Sequence, residues 1–195
     1  MSYLAPVGVA TAELREKGSR FLARLEPAVS EEAARERIAA LAREHADATH
    51  CCWAYRLGWP ARERSADAGE PLGTAGPPIL RALQTAAISD ALLVVLRWFG
   101  GTKLGKGGLV RAYGGVARAA VAAAALEPRL HRLILEIEVA YPQLGAVQRL
   151  LQPPEVELLE QRFGERVVLR LAVAVSRLAA VRERAAELGA VLRES

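Results

Sequence analysis

The residues Ala91 to Trp98, ALLVVLRW, form an apolar run broken only by Arg97, and Phe99-Gly100-Gly101 stops it at once. A run this short that includes Val94, Val95 and Trp98 reads as a buried strand, because β-branched and aromatic side chains fit a pleated surface. From Leu109 onward the chain turns alanine-rich, with Val116 and Ala120 at helical spacing, and alanine loses no rotamer freedom in a helix. Asp90 to Leu126 is therefore expected to be a strand, a glycine loop and a helix, the unit the remaining elements must accommodate. Gly114 and Gly115 sit inside the helical pattern at a cost of roughly 1 kcal/mol each relative to alanine, so another backbone or a ligand is expected to pass close there.

The loop holds Gly100, Gly101, Gly105, Gly107 and Gly108 and leads straight into a helix amino terminus. Unhindered amides and the positive end of a helix dipole favour an anion in the same space. Between Ala91 and Leu126 there are five cations, Arg97, Lys103, Lys106, Arg111 and Arg118, and no carboxylate. Arg111 and Arg118 are seven apart, which puts both on one helix face. Only three lysines occur in the chain, and two of them lie in this loop. Gly100 to Lys106 satisfies G-x-x-x-x-G-K, but Gly107 stands where a P-loop needs a hydroxyl for magnesium, so nucleotide hydrolysis is not expected. Two readings stay open: a tight turn whose glycines serve backbone geometry alone, and a phosphate-contacting surface without chemistry.

With 52% hydrophobic and 25% charged residues among 195, the chain is globular and long enough for one large domain or two small ones. A net charge of +4 permits an acidic partner without demanding one, and local clustering is the better guide. No apolar run approaches the ~20 residues of a membrane span, and MSYLAPVGVA lacks the pattern of a secretory signal, so a cytoplasmic protein is expected. Cys51 and Cys52 are adjacent; in a strand they point to opposite faces, which argues for reduced packing residues, with no disulfide and no zinc site.

Upstream, residues 7–14 and 19–26 read as strands joined by a Lys17-Gly18 turn, Ser30 as the cap of a helix with Glu31 and Glu32 at its positive end, and Thr49 to Leu57 as a third strand. The turn after it, Gly58-Trp59-Pro60, precedes a second glycine-rich stretch, Ser65 to Pro78, with Asp67, Glu70, Gly73, Thr74 and Gly76. Asp67 and Glu70 beside His50 could do acid–base work or bind a metal; they could equally accept from loop amides or pair with an arginine such as Arg97. After Leu126, Glu127-Pro128 breaks the pattern and 126–131 reads as a linker. Strands at 132–140, 155–162, 165–175 and 189–193 with helices at 142–152 and 176–188 then give βαββαβ, the order of a ferredoxin-like sandwich. The expected class is α+β with two domains, 1–127 and 128–195.

The residues Lys17-Gly18-Ser19-Arg20-Phe21, His45 to Cys52, Asp67 to Gly76 and Gly100 to Tyr113 together resemble the YigZ/IMPACT family, and the likeness covers nearly the whole chain. That resemblance implies a first domain similar to the ribosomal protein S5 domain 2-like fold and a second similar to the last domain of EF-G, both pointing to translation. The family pattern keeps the glycines, Leu104 and Leu109 but does not require Lys103 or Lys106.

The expected protein is non-enzymatic, without cofactor or metal, and binds RNA or the ribosome through Arg97, Gly100, Gly101, Lys103, Gly105, Lys106, Gly107, Gly108, Arg111 and Arg118. The loop motif Asp67, Glu70, Gly73, Thr74 and Gly76 is expected to face the main loop. No membrane partner is expected, and a monomer is preferred over an oligomer. The alternative is a small-molecule hydrolase or phosphate-ligand enzyme that uses His50, Asp67 and Glu70 beside the glycine loop.

Overall fold

The computed structural model describes residues 2–58 and 60–194; the central residue of the expected Gly58-Trp59-Pro60 turn lies outside them. The chain is mixed α/β and divides into two compact units, Tyr3–Arg129 and residues 130–194 together with Ser2.

The first unit is built on an antiparallel sheet in the order β2-β3-β6-β4-β5, from Ala10–Glu16, Ser19–Pro27, Ala91–Trp98, His50–Leu57 and Arg62–Ala66. Strand β6, the apolar run, is central and covered on both sides, which is why it shows no polar alternation. Leu93 and Val95 pack with Phe21, Ala23 and Cys52 beneath α2 (Gly76–Thr85) and α3 (Gly105–Ala122). On the opposite face Leu92, Val94 and Leu96 join Tyr55 and Leu57 with Ala34 and Leu41 of α1 (Glu31–Glu44). Arg97 shares the odd-numbered parity of Leu93 and Val95, so β6 carries it towards α2 and α3. Its register partners are Phe21 on β3 and His50 on β4, which places one row of three side chains across three strands.

Local signals account for several boundaries. Ser30 caps α1 by accepting from the Ala33 amide at 3.1 Å, and Glu31 and Glu32 occupy its first turn. Lys17 and Gly18 both take positive φ, 47° and 80°, the geometry of a hairpin turn matched to strand twist.

The expected linker at 126–131 is instead largely strand: β7 (Leu126–Leu130) pairs with β1 (Ser2–Pro6) in a separate two-stranded sheet. Pro128 is tolerated there because a strand at a sheet edge can spare one amide. Strand β1 and the edge strand β5 carry no alternating apolar pattern, and neither was expected. Helix α3 begins at Gly105, one turn earlier than the alanine content indicates. Glycine is a poor helix former, and that hides the first turn from a propensity argument.

The second unit runs β8 (Arg132–Val139), α4 (Leu144–Gln148), β9 (Val156–Phe163), β10 (Val167–Ala174), α5 (Leu178–Glu187) and β11 (Val191–Glu194). Its antiparallel order β11-β8-β10-β9 is that of a ferredoxin-like sheet, with Leu135, Ile137, Leu169, Leu171 and Val181 in its core. Helix α4 is far shorter than expected: a 3-10 turn at Tyr141–Gln143 leads into it.

Candidate functional site

At the carboxyl end of β6 the two glycine-rich stretches meet. They face each other across a cavity of about 390 Å³ lined by Glu70 and Pro71 from one side and by Phe99, Lys103, Leu104, Gly105, Lys106 and Leu109 from the other, with Arg97 also in its wall.

A buried polar network fixes that meeting. The Arg97 side chain is 6% exposed and that of Glu70 2%, and Arg97 Nη1 donates to Glu70 Oε1 at 2.6 Å. The same oxygen accepts from the Tyr113 hydroxyl at 2.7 Å and has His50 Nε2 3.8 Å away. Arg97 Nη2 donates to Ser19 Oγ, which also accepts from the Gly100 amide, each at 3.3 Å. The network therefore ties the β2–β3 hairpin, β6, the 67–76 loop and α3 together. Such a pair contributes little over an apolar replacement, but removing one partner leaves a bare charge at a cost of about 3–5 kcal/mol. Arg97 Nε is buried without an acceptor. An orphaned donor of this kind costs about 1–3 kcal/mol.

Glycine is required at position 100 for contact, not for conformation. A Cβ there would lie 1.8 Å from the carbonyl carbon of Gly18, so the loop runs hard against the hairpin turn. At Gly114 a Cβ would lie 3.6 Å from Pro78, an ordinary contact, and 3.2 Å from the movable Arg118 guanidinium, and at Gly115 nothing lies within 4 Å, so neither glycine shows the close approach of a backbone expected there.

The three helices of this unit differ at their amino ends. Ser30 caps α1. Asp67 caps α2: its carboxylate accepts from the amides of Gly73, Ala75 and Gly76 at 2.8–2.9 Å. Burial would raise the Asp67 carboxyl, but the three amides outweigh it and hold it below its ordinary 3.8. Helix α3 has neither a side-chain cap nor an acidic residue in its first turn. Its free donors and positive dipole end face the cavity, where an anion would complete them.

The cations sort by surroundings. Arg97 is neutralised by Glu70 and is not a surface contact. Lys103 and Lys106 line the cavity and are exposed. Arg111 is exposed on α3, and Arg118 lies apart, with Arg81, on a groove of about 360 Å³ between α2 and α3. Among the described residues, none of Lys103, Lys106, Arg111 and Arg118 pairs with a carboxylate. Gly101 is exposed at the loop tip, and Gly107 and Gly108 belong to the first turn of α3, not to the loop.

The three residues of the enzymatic alternative lie close together, and each makes hydrogen bonds within the fold. Asp67 is a helix cap, and Glu70 is held by Arg97 and Tyr113. The His50 Nδ1–H donates to the Ala68 carbonyl at 3.1 Å, which leaves Nε2 towards Glu70. Thr74 donates to the Pro71 carbonyl at 2.6 Å within its own turn. Burial pushes the Cys52 thiol up to about 12, and it donates to the Asp67 carbonyl as a neutral group. Burial likewise holds the Tyr113 phenol protonated, as its bond to Glu70 requires.

For Phe99 the sequence leaves base stacking and core packing both open; it is 47% exposed beside the cavity. Its position one residue past the strand and directly before two glycines was the available signal. Ser19, Arg81 and the bond from Tyr113 to Glu70 were missed, since nothing local marks them. Among the described residues no helix is long and apolar enough to cross a membrane.

Comparison with known proteins fits this architecture. Residues 17–121 match the Impact N-terminal domain, and residues 137–190 match a domain of unknown function, DUF1949. An IMPACT family member of Haemophilus influenzae is 38% identical over 88% of this chain and 84% of its own length. The IMPACT family member YigZ of Escherichia coli is 32% identical over 91% of this chain and 89% of its own. A crystal structure described as that of a hypothetical protein superposes with a TM-score of 0.74 at 30% identity, covering 98% of this chain and 96% of that one. With both domains matched and identities of this size extending over most of each partner, the chain belongs to the YigZ/IMPACT family.

Proposed function

We propose that this protein is a cytoplasmic, non-enzymatic binder of RNA or of the ribosome, acting in translation or its regulation through its first unit. The observation that carries the proposal is the uncapped amino terminus of α3 with Lys103 and Lys106 unpaired around it and Arg111 further along the helix. Unpaired cations beside free amides attract phosphate, and a row of them along one element suits a polymer better than a single small anion. The translation-like folds implied by the family resemblance support the same partner by analogy alone.

Co-sedimentation of the full chain with ribosomes across a salt series tests this. Binding should weaken steeply with salt, and replacing Lys103 and Lys106 by alanine should lower the slope by up to about two units. Absence of binding at low salt would overturn the proposal. A double variant with the wild-type slope would remove the lysines from the site.

A further inference from the structure

The cavity between the glycine loops combines phosphate-type contacts with an aromatic surface. Phe99 follows β6 directly, and the Arg97 guanidinium lies over its ring at 5.5 Å from the centroid. The guanidinium is itself fixed by Glu70 and Ser19, so it braces the ring. Phe99 nevertheless stays 47% exposed, with part of its ring open beside the cavity. Lys103, Lys106 and the uncapped end of α3 line the same cavity, as does Arg97. At about 390 Å³ the cavity is of the size that holds a small organic ligand.

We infer that this cavity seats one unpaired nucleotide of a single-stranded RNA segment, its base stacked on Phe99 and its phosphate at the amino terminus of α3 between Lys103 and Lys106. This rests on the RNA-binding proposal above and narrows it. A duplex offers its phosphates but keeps its bases stacked on one another, so it can use the lysines and cannot use Phe99. A braced, half-exposed ring beside cations is the arrangement with which proteins hold unstacked bases without reading their sequence.

Fluorescence anisotropy with the full chain distinguishes the two claims, with a short single-stranded RNA oligonucleotide and its blunt duplex as probes. The wild type should bind the single strand more tightly than the duplex. Phe99→Leu keeps apolar bulk and removes the π face; it should weaken single-strand binding about tenfold and leave duplex binding unchanged. Phe99→Tyr should bind as the wild type does, which guards against a folding artefact. If Phe99→Leu binds the single strand normally while the Lys103→Ala, Lys106→Ala double variant loses it, stacking is wrong and RNA binding through the lysines stands. If the wild type binds neither probe nor ribosomes at low salt, both claims fall.

Discussion

Two regions of this molecule carry a small surplus of positive charge and treat it in opposite ways. Residues 1–127 hold 16 cations and 13 anions, and 128–195 hold 10 and 9. On the sheet of the second unit, Arg162 reaches Glu136 at 2.9 Å, Arg166 reaches Glu138 at 3.5 Å and Arg132 reaches Glu157 at 2.7 Å. Arg170 stands in register between Glu136 on β8 and Glu160 on β9. That surface cancels its own field. The loop and first turns of α3 hold Lys103, Lys106 and Arg111 with no such partners among the described residues. Elsewhere in the first unit several arginines are matched, as in Arg37 with Glu26 and Glu44 or Arg56 with Glu63, whereas Arg81 and Arg118 on the groove between α2 and α3 pair with no carboxylate among the described residues. Net charge therefore says little about where an anion would bind; unmatched charge says more, because only it projects a field into solvent.

The comparison breaks most visibly at the buried pair. Glu70→Ala should destabilise the first unit by about 3–5 kcal/mol, since it strands the Arg97 guanidinium in the interior. Urea unfolding of the full chain reads this, and a loss below about 1 kcal/mol would mean that the pair does not hold the two loops together.

A smaller loss is expected from Asp67→Asn, about 1–3 kcal/mol, through the three amides that the carboxylate satisfies. Because the folded carboxyl is held below 3.8, its contribution is complete above that value and disappears as pH falls through the lowered one. The stabilities of variant and wild type should thus converge in acid. A gap that stays constant from neutral pH to below the carboxylate range would show that the charge of Asp67 is not what caps α2.

The smallest effect belongs to the second unit. Arg162→Ala removes a pair whose members are 56% and 26% exposed, so stability should change by less than about 1 kcal/mol. The salt slope of ribosome binding should not change either. If this substitution lowers the slope as much as loss of the two lysines, the division into a self-neutralised face and an unmatched face is wrong.

The strand–loop–helix unit at 90–126, the Ser30 cap and the βαββαβ order could be read in the chain because each depends on residues a few positions apart: hydrophobic period, a capping hydroxyl, glycine and proline punctuation. The pairing of β1 with β7 could not, since it joins residues 2–6 to residues 126–130 through backbone bonds that leave no side-chain pattern. The first turn of α3 escaped because its glycines argue against the helix that the rest of α3 imposes on them.

For the candidate site, the sequence by itself determined that five cations, two glycine stretches and a helix amino terminus lie in one basic segment and its neighbour. Only the tertiary structure decided which of those cations face solvent. It buried Arg97 against Glu70, 27 residues away, and Ser19, 78 residues away. It also turned Asp67 into the cap of α2 and left Phe99 beside an uncapped α3. Propensity and patterning act over one or two turns of chain, whereas burial and ion pairing are settled by whatever the fold brings within a few ångströms.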